Sequence, residues 1–129
     1  MSKSVIVAEG APKPFQGAPY NQAITSGGFL FCAGQLGLDP ESGELVEGGV
    51  SNQTRRALEN VRAILAAVGV GFEDVVKSTV FLTDLEDFAA MNEIYGEYFT
   101  SDPPARTTIQ VAALPAGAIV EVEVVAASG

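Results

Sequence analysis

Between Ser51 and Gly69 the chain reads SNQTRRALENVRAILAAVG, with Ala57, Leu58, Val61, Ile64, Leu65 and Val68 recurring at i, i+3, i+4 intervals and Arg and Glu opposite them. That period predicts an amphipathic helix, with Ser51 as its N-cap and Gly69 as its stop. A helix with one apolar stripe has to bury it against something else. The segments flanking this one in the chain therefore decide the fold.

Most of the remainder reads as strands. Residues 1–18 are rich in Pro and Gly and form an irregular lead-in, with a short strand at Ser4–Val7. Asn21–Ser26 and Phe29–Leu36 read as two strands around the Gly27-Gly28 pair, which suits a tight hairpin needing positive φ. Asp39, Pro40 and Gly43 supply a turn. Val75–Leu82 is a third main strand. DLEDFAAMNEIYGEYFTS comes next as a second helix, with Thr83 and Glu86 at capping-box spacing and Phe88, Met91, Tyr95, Tyr98 and Phe99 on its buried side. Ala105–Ala112 and Ile119–Ala126 close the chain as strands joined through LPAG. The order predicts one α+β domain over residues 1–129, a mixed sheet with two helices packed on one face.

Composition narrows the chemistry. The chain has no histidine and one cysteine, Cys32, inside the apolar run FLFCAGQL. Disulfide frameworks, the usual zinc sites and Ser–His or Cys–His nucleophile pairs are thereby excluded. Catalysis has to run on carboxylates, Arg, Tyr, hydroxyls, amides and backbone groups. The net charge of −9, from 16 acids against seven bases, disfavours nucleic acid as a partner. Arg55, Arg56 and Arg62 read as a solvated helix face. No apolar run approaches the ~20 residues needed to cross a bilayer, and the first ten residues do not read as a signal peptide, so the chain reads as cytoplasmic.

One cation stands apart. Arg106 is the only Lys or Arg between Ser78 and Gly129, a span with eight carboxylates. Treating the last two strands as a hairpin with a four-residue loop at 114–117 puts Gln110 opposite Glu121 and Val125 opposite Arg106. Alternation then sends Thr107, Ile109 and Val111 toward the helices with Val120, Val122, Val124 and Ala126, and leaves Arg106, Thr108 and Gln110 on the bare face with Glu121. In that register the Arg106 and Glu121 backbones stand roughly 13 Å apart along the strand. That is long for both side chains to grip one small molecule within one chain, so either the loop differs or the two groups meet across a subunit interface, and a half-bare sheet face that needs covering favours the interface.

APYNQA (18–23), AGQLGLDPESGE (33–44), VVKSTVFLTDLEDFAAMNEIYGEYF (75–99), PPARTTIQVAALP (103–115) and VEVEVVA (120–126) together resemble the Rid family, the YjgF-type reactive-intermediate deaminases. The match runs in order over about residues 12 to 127. The resemblance implies a chorismate-mutase-like α+β fold, assembled as a homotrimer with sheets inward and a pocket between neighbouring subunits. It implies hydrolysis of 2-imino or enamine acids, such as 2-iminobutanoate and 2-iminopropanoate, to 2-oxo acids and ammonia, with no cofactor and no metal.

Carried over by position, Arg106 matches the arginine that holds the substrate carboxylate and Glu121 the glutamate that handles the hydrolytic water. Tyr20 and Asn92 match pocket-lining polar residues, and Gly34 matches a glycine whose backbone lines the site. A guanidinium takes a carboxylate in two parallel hydrogen bonds, and an iminium carbon needs only positioning and one proton acceptor. The chain departs from the pattern at Thr108, where many deaminases carry Cys, and at Ala33, where Ser is frequent; both bear on substrate preference. Two other readings stay open at this point: a non-catalytic small-carboxylate-binding or chaperone-like trimer, and the ribonuclease or translation-inhibitor activity ascribed to some relatives.

Overall fold

A computed structural model describes residues 2–129. Seven strands form one sheet: β1 (Ser4–Ile6), β2 (Ala23–Ser26), β3 (Phe29–Cys32), β4 (Gln35–Leu36), β5 (Val75–Leu82), β6 (Ala105–Gln110) and β7 (Val120–Ala127). Two helices, α1 (Gly49–Ala67) and α2 (Phe88–Tyr98), complete the fold. The sheet order is β1-β2-β3-β7-β5-β6, with β4 also on β7. Only β5 and β6 run parallel among the described pairs.

The α1 stripe packs as its period predicts. Ala57, Leu58, Val61, Ile64 and Leu65 are buried against Leu30, Val80, Leu82, Val120, Val122 and Val124 from the sheet. Each large aliphatic so buried contributes roughly 1.5–3 kcal/mol. The helix starts two residues before Ser51, with Gly48 at its N-cap in the left-handed region (φ 106°). The expected N-cap Ser51 thus lies inside the helix. Gly69, at φ 77°, comes just after the last turn as expected. The Gly27-Gly28 hairpin is also as expected, both glycines taking positive φ while Ser26 pairs Phe29.

Three expectations are corrected. Asp84, not Thr83, caps the second helical segment: its carboxylate accepts the Glu86 N–H at 2.9 Å, opening a short 3-10 turn ahead of α2. The expected strand Phe29–Leu36 breaks at Ala33-Gly34 into β3 and β4. Most important, the last two strands are not a hairpin. β6 pairs parallel with β5, and β7 pairs antiparallel with the other edge of β5. The reason lies upstream. Strand, helix and strand from Val75 to Gln110 form a β-α-β unit, whose crossover through α2 is long enough for parallel pairing. The LPAG segment then passes across the end of β5, where Leu82 C=O accepts the Val111 N–H and Thr83 N–H donates to Ile119 C=O.

The corrected topology inverts the facing of β6. Ser78 pairs Arg106 on one side and Val124 on the other, and Val80 pairs Thr108 and Val122. Residues directly opposite project to the same face. Ser78, Val80, Val122 and Val124 are buried under the helices, so Arg106 and Thr108 face the helix layer, while Thr107 and Ile109 face away. Glu121 shares a row with Phe81 and Ile109 on the open face. That face also carries Phe31, paired with Val125. Phe29, Phe31 and Ile109 are each more than 40% exposed.

Candidate functional site

The residues singled out by sequence fall into two clusters. The first surrounds Glu121. Leu36 of β4 pairs Glu121 of β7, and the break before β4 leaves Gly34 against the glutamate side chain. A Cβ at Gly34 would collide with the Glu121 carboxylate and its Cγ. A side chain there is therefore incompatible with the observed position of the acid. Gly34 and Glu121 line a cleft of about 390 Å³, together with Tyr20, Gln22, Ala33 and Leu36. Burial in this cleft, and secondarily the charge of Glu123, push the Glu121 carboxyl above its ordinary value. It makes no salt bridge to any described residue.

The cleft's outer wall is the irregular lead-in, and one side chain pins it. Buried Gln22 accepts the Ala8 N–H at 2.7 Å through Oε1 and donates from Nε2 to the carbonyls of Ala8, Ala11 and Pro12 at 2.9–3.2 Å. Tyr20 lies across this wall, its hydroxyl accepting the Phe15 N–H at 3.0 Å. Sequence reasoning points to Tyr20 and misses Gln22. A glutamine in APYNQA carries no local signal, because its partners are backbone groups ten to fourteen residues away.

The second cluster lies between β6 and α2. The Arg106 guanidinium sits 4.7 Å from the centroid of the Tyr95 ring and 5.5 Å from that of Phe88. Phe88 is more exposed than the rest of its stripe, contrary to the expectation that it belongs to the core. The Tyr95 hydroxyl is in turn 2.6 Å from Oγ of fully buried Ser78. Desolvation raises the Tyr95 phenol, opposed by Ser78 and Arg106. No described carboxylate reaches Arg106. Asn92, between Phe88 and Tyr95 on α2, and Thr108, one residue pair along from Arg106, belong to the same region. Asn92 Oδ1 and Thr108 Oγ1 are buried without a hydrogen-bond partner among the described residues; the one other such atom is Thr54 Oγ1. Unsatisfied buried polar atoms are costly, so Asn92 Oδ1 and Thr108 Oγ1 each call for a partner from outside the described residues.

The two clusters do not meet within one chain. Arg106 and Glu121 project from opposite faces of the sheet, and β5 lies between their strands. Their rows on β5, at Ser78 and Phe81, are three residues apart, roughly 10 Å along the strand. The expected separation within a chain is therefore real, though it arises from a different topology. Cys32 joins neither cluster: buried in the core, its thiol is pushed up to about 12. No group of three or more His, Cys, Asp and Glu suited to a metal occurs among the described residues. No described helix is long and apolar enough to cross a membrane.

Comparison with known proteins adds a family context. Residues 10–128 match the profile of the family described as Endoribonuclease L-PSP. A RutC family protein of Pyrococcus horikoshii is 51% identical over 124 residues, covering 96% of this chain and 97% of the relative. The 2-iminobutanoate/2-iminopropanoate deaminase of Homo sapiens is 50% identical over 111 residues, covering 86% of this chain and 81% of that protein. Among solved structures, a Rid family protein of unknown function from Yersinia pestis superposes with a TM-score of 0.93 at 42% identity, over 98% of this chain and 99% of that one.

Proposed function

The chain belongs to the YjgF/Rid family, and on that premise we propose that it is an imine deaminase, converting 2-imino or enamine acids to 2-oxo acids and ammonia. The observation that carries the proposal is the presence, on opposite faces of one sheet, of an Arg106 with no described carboxylate partner and a desolvated Glu121. Neither cluster is a complete site. A homo-oligomer, in the family's case a trimer, that seats the β6–α2 edge of one copy against the cleft of the next would make one.

In that site Arg106 takes the substrate carboxylate through two N–H donors, and the flanking rings of Tyr95 and Phe88 restrict where the guanidinium can lie. Asn92 and Thr108 offer hydrogen-bonding groups beside it. Glu121, from the neighbouring copy, accepts a proton from water as the oxygen adds to the imine carbon. Starting from the protonated imine, that proton passes on to nitrogen, the C–N bond breaks, and Glu121 takes the hydroxyl proton as the carbonyl forms and hands it to the departing ammonia, which leaves as ammonium. Every step is a proton transfer or an addition at an already electrophilic carbon, which removes the need for histidine or for any cofactor. The raised carboxyl of Glu121 makes it a better proton acceptor than an exposed glutamate.

The deciding experiment supplies purified protein with imines generated in situ by an amino-acid oxidase or a threonine dehydratase and monitors ammonia and oxo acid. Accelerated release that disappears in Arg106→Ala and in Glu121→Gln supports the proposal. An Arg106→Ala protein with full rate removes the site assignment. Binding of 2-oxobutanoate with no turnover would instead select a carboxylate-binding role. RNA as substrate is disfavoured by the net charge of −9 and by the lack of histidine.

A further inference from the structure

The helix α1 contributes no residue to either cluster, yet it holds a fully buried asparagine at its centre. Asn60 is 0% exposed. Its Nδ2 donates to two carbonyls of the segment that forms the cleft floor, Leu36 at 3.1 Å and Leu38 at 2.9 Å. Its Oδ1 accepts both Nε and Nη2 of Arg56, at 3.2 and 2.9 Å. Both amide protons and both lone pairs of the side chain are thereby used, and a flipped amide would set donors against donors and acceptors against acceptors. Asparagine is a poor residue for a helix interior. Here a helix former has been forgone for four hydrogen bonds.

Those bonds control one particular strand. Leu36 is the residue paired with Glu121, and Leu38 continues into a bridge with Leu45. Between them, Gly37 lets the strand approach α1 closely, since a Cβ there would lie 2.7 Å from the Gln53 Cα. Only at that approach can the short Asn60 side chain span to both carbonyls. Gln53, earlier in α1, fixes the other strand of the cleft: its Oε1 accepts the Ile119 N–H at 2.9 Å, two residues before Glu121. α1 thus holds the chain on both sides of the glutamate, β4 through Asn60 and the start of β7 through Gln53.

We infer that Asn60, locked in orientation by Arg56, is a positioning residue that sets the placement of Glu121 against the hydrolytic water in the proposed deamination. The inference rests on that reading of Glu121. It separates two effects. Carboxylate capture belongs to Arg106 on the far face of the sheet, whereas delivery of water belongs to the cleft that Asn60 holds. Disturbing Asn60 therefore lowers kcat and leaves affinity for the carboxylate unchanged.

The test uses the full chain in its native oligomer, with Asn60→Asp, Arg56→Met, Arg56→Lys and Glu121→Gln measured together. Three quantities are read: kcat on in situ imine, the Kd of 2-oxobutanoate as a non-reacting probe, and Tm. Asn60→Asp keeps the shape but turns the two donors to Leu36 and Leu38 into an acceptor. The expected result is a kcat lower by roughly tenfold to a hundredfold, with Kd changed less than about twofold, as Arg106 is untouched. Arg56→Met shifts kcat in the same direction by less, and Arg56→Lys, which can supply one of the two donors, recovers part of the loss. Should Asn60→Asp fail to fold, the Arg56 pair decides the matter. Full kcat in the folded variants beside an inactive Glu121→Gln overturns the positioning role alone. So does a fall in kcat matched by a rise in Kd, which marks general loosening. Full turnover in Glu121→Gln overturns the deaminase mechanism, and the positioning role with it.

Discussion

Arg106 and Glu121 leave the sheet on opposite faces, three rows apart on the strand that lies between theirs. On the proposed reading, each cluster is completed by the other cluster of a neighbouring copy. Sharing of the site between copies is directly testable.

Mixing two dead variants should restore activity. In a trimer with sites shared between neighbours, Arg106→Ala supplies intact Glu121 and Glu121→Gln supplies intact Arg106. Every mixed trimer then contains one whole site, and equal random mixing returns about a quarter of the wild-type rate. Turnover is measured after subunit exchange verified by native mass spectrometry. No recovery in exchanged trimers would place both residues in one protomer's site and contradict the shared arrangement.

Arg106→Lys should behave almost like Arg106→Ala. A lysine keeps the charge but cannot form the paired hydrogen bonds, and it fits less well against the Tyr95 and Phe88 rings. Loss of a charge-assisted pair predicts a KM or a 2-oxobutanoate Kd higher by about tenfold or more. Steady-state kinetics and calorimetry check this, and a lysine variant with wild-type affinity counts against bidentate capture.

Glu121 predicts a pH effect of definite sign. Its carboxyl is raised in the folded protein by burial first and by Glu123 second. Between the unfolded and folded values the native state holds more proton than the unfolded one, so this group makes stability fall as pH rises through that window. The penalty is fully present above the folded value and absent below the unfolded one. Glu121→Gln should accordingly raise Tm at about pH 7, with a gain that shrinks as pH falls from the raised folded value toward the usual glutamate value and vanishes below it. Thermal melts across roughly pH 3.5–7.5 measure it. In activity, the acid limb of kcat/KM should lie above the position of an exposed glutamate and move down in Glu123→Gln.

Gly34→Ala should inactivate with little loss of fold. The added methyl meets the Glu121 carboxylate, the movable end of a side chain, so the acid is displaced from the cleft while the sheet persists. The expected signature is a kcat down at least about tenfold with a Tm close to wild type. An unaffected kcat would mean that the glutamate works from another position.

The open face should drive assembly. Phe31→Glu places a charge in the exposed apolar surface shared with Phe29 and Ile109. Dissociation to a monomer with intact helix content, and loss of turnover with it, is the expected outcome by light scattering and circular dichroism. A variant that stays assembled would point the interface elsewhere.

Local patterns carry much of the fold in the sequence. The α1 stripe, the Gly27-Gly28 turn and the alternation of β7 each depend on neighbours within a few residues, and each folds as its pattern predicts. The facing of Arg106 is not legible, because it depends on which strand β6 pairs with. A short connection rich in Pro and Gly suggests a hairpin, whereas the actual neighbour of β6 is β5, more than twenty residues earlier. Both residues are nonetheless singled out, since the resemblance assigns each a proposed role position by position. Gln22, Asn60 and Gln53 escape notice because each bonds to backbone, and a backbone partner leaves no trace in residue type.

β7 has a further consequence. It is the last strand in chain order, yet it sits near the middle of the sheet, bonded to β3, β4 and β5. During synthesis the earlier strands have no shared neighbour until Val120–Ala127 has emerged and inserted between them. The carboxylate assigned to water activation thus arrives with the segment that closes the structure. On the proposed assignment the acid is out of place until β7 has paired, and trimming that strand would remove both the acid and the strand that joins the two halves of the sheet.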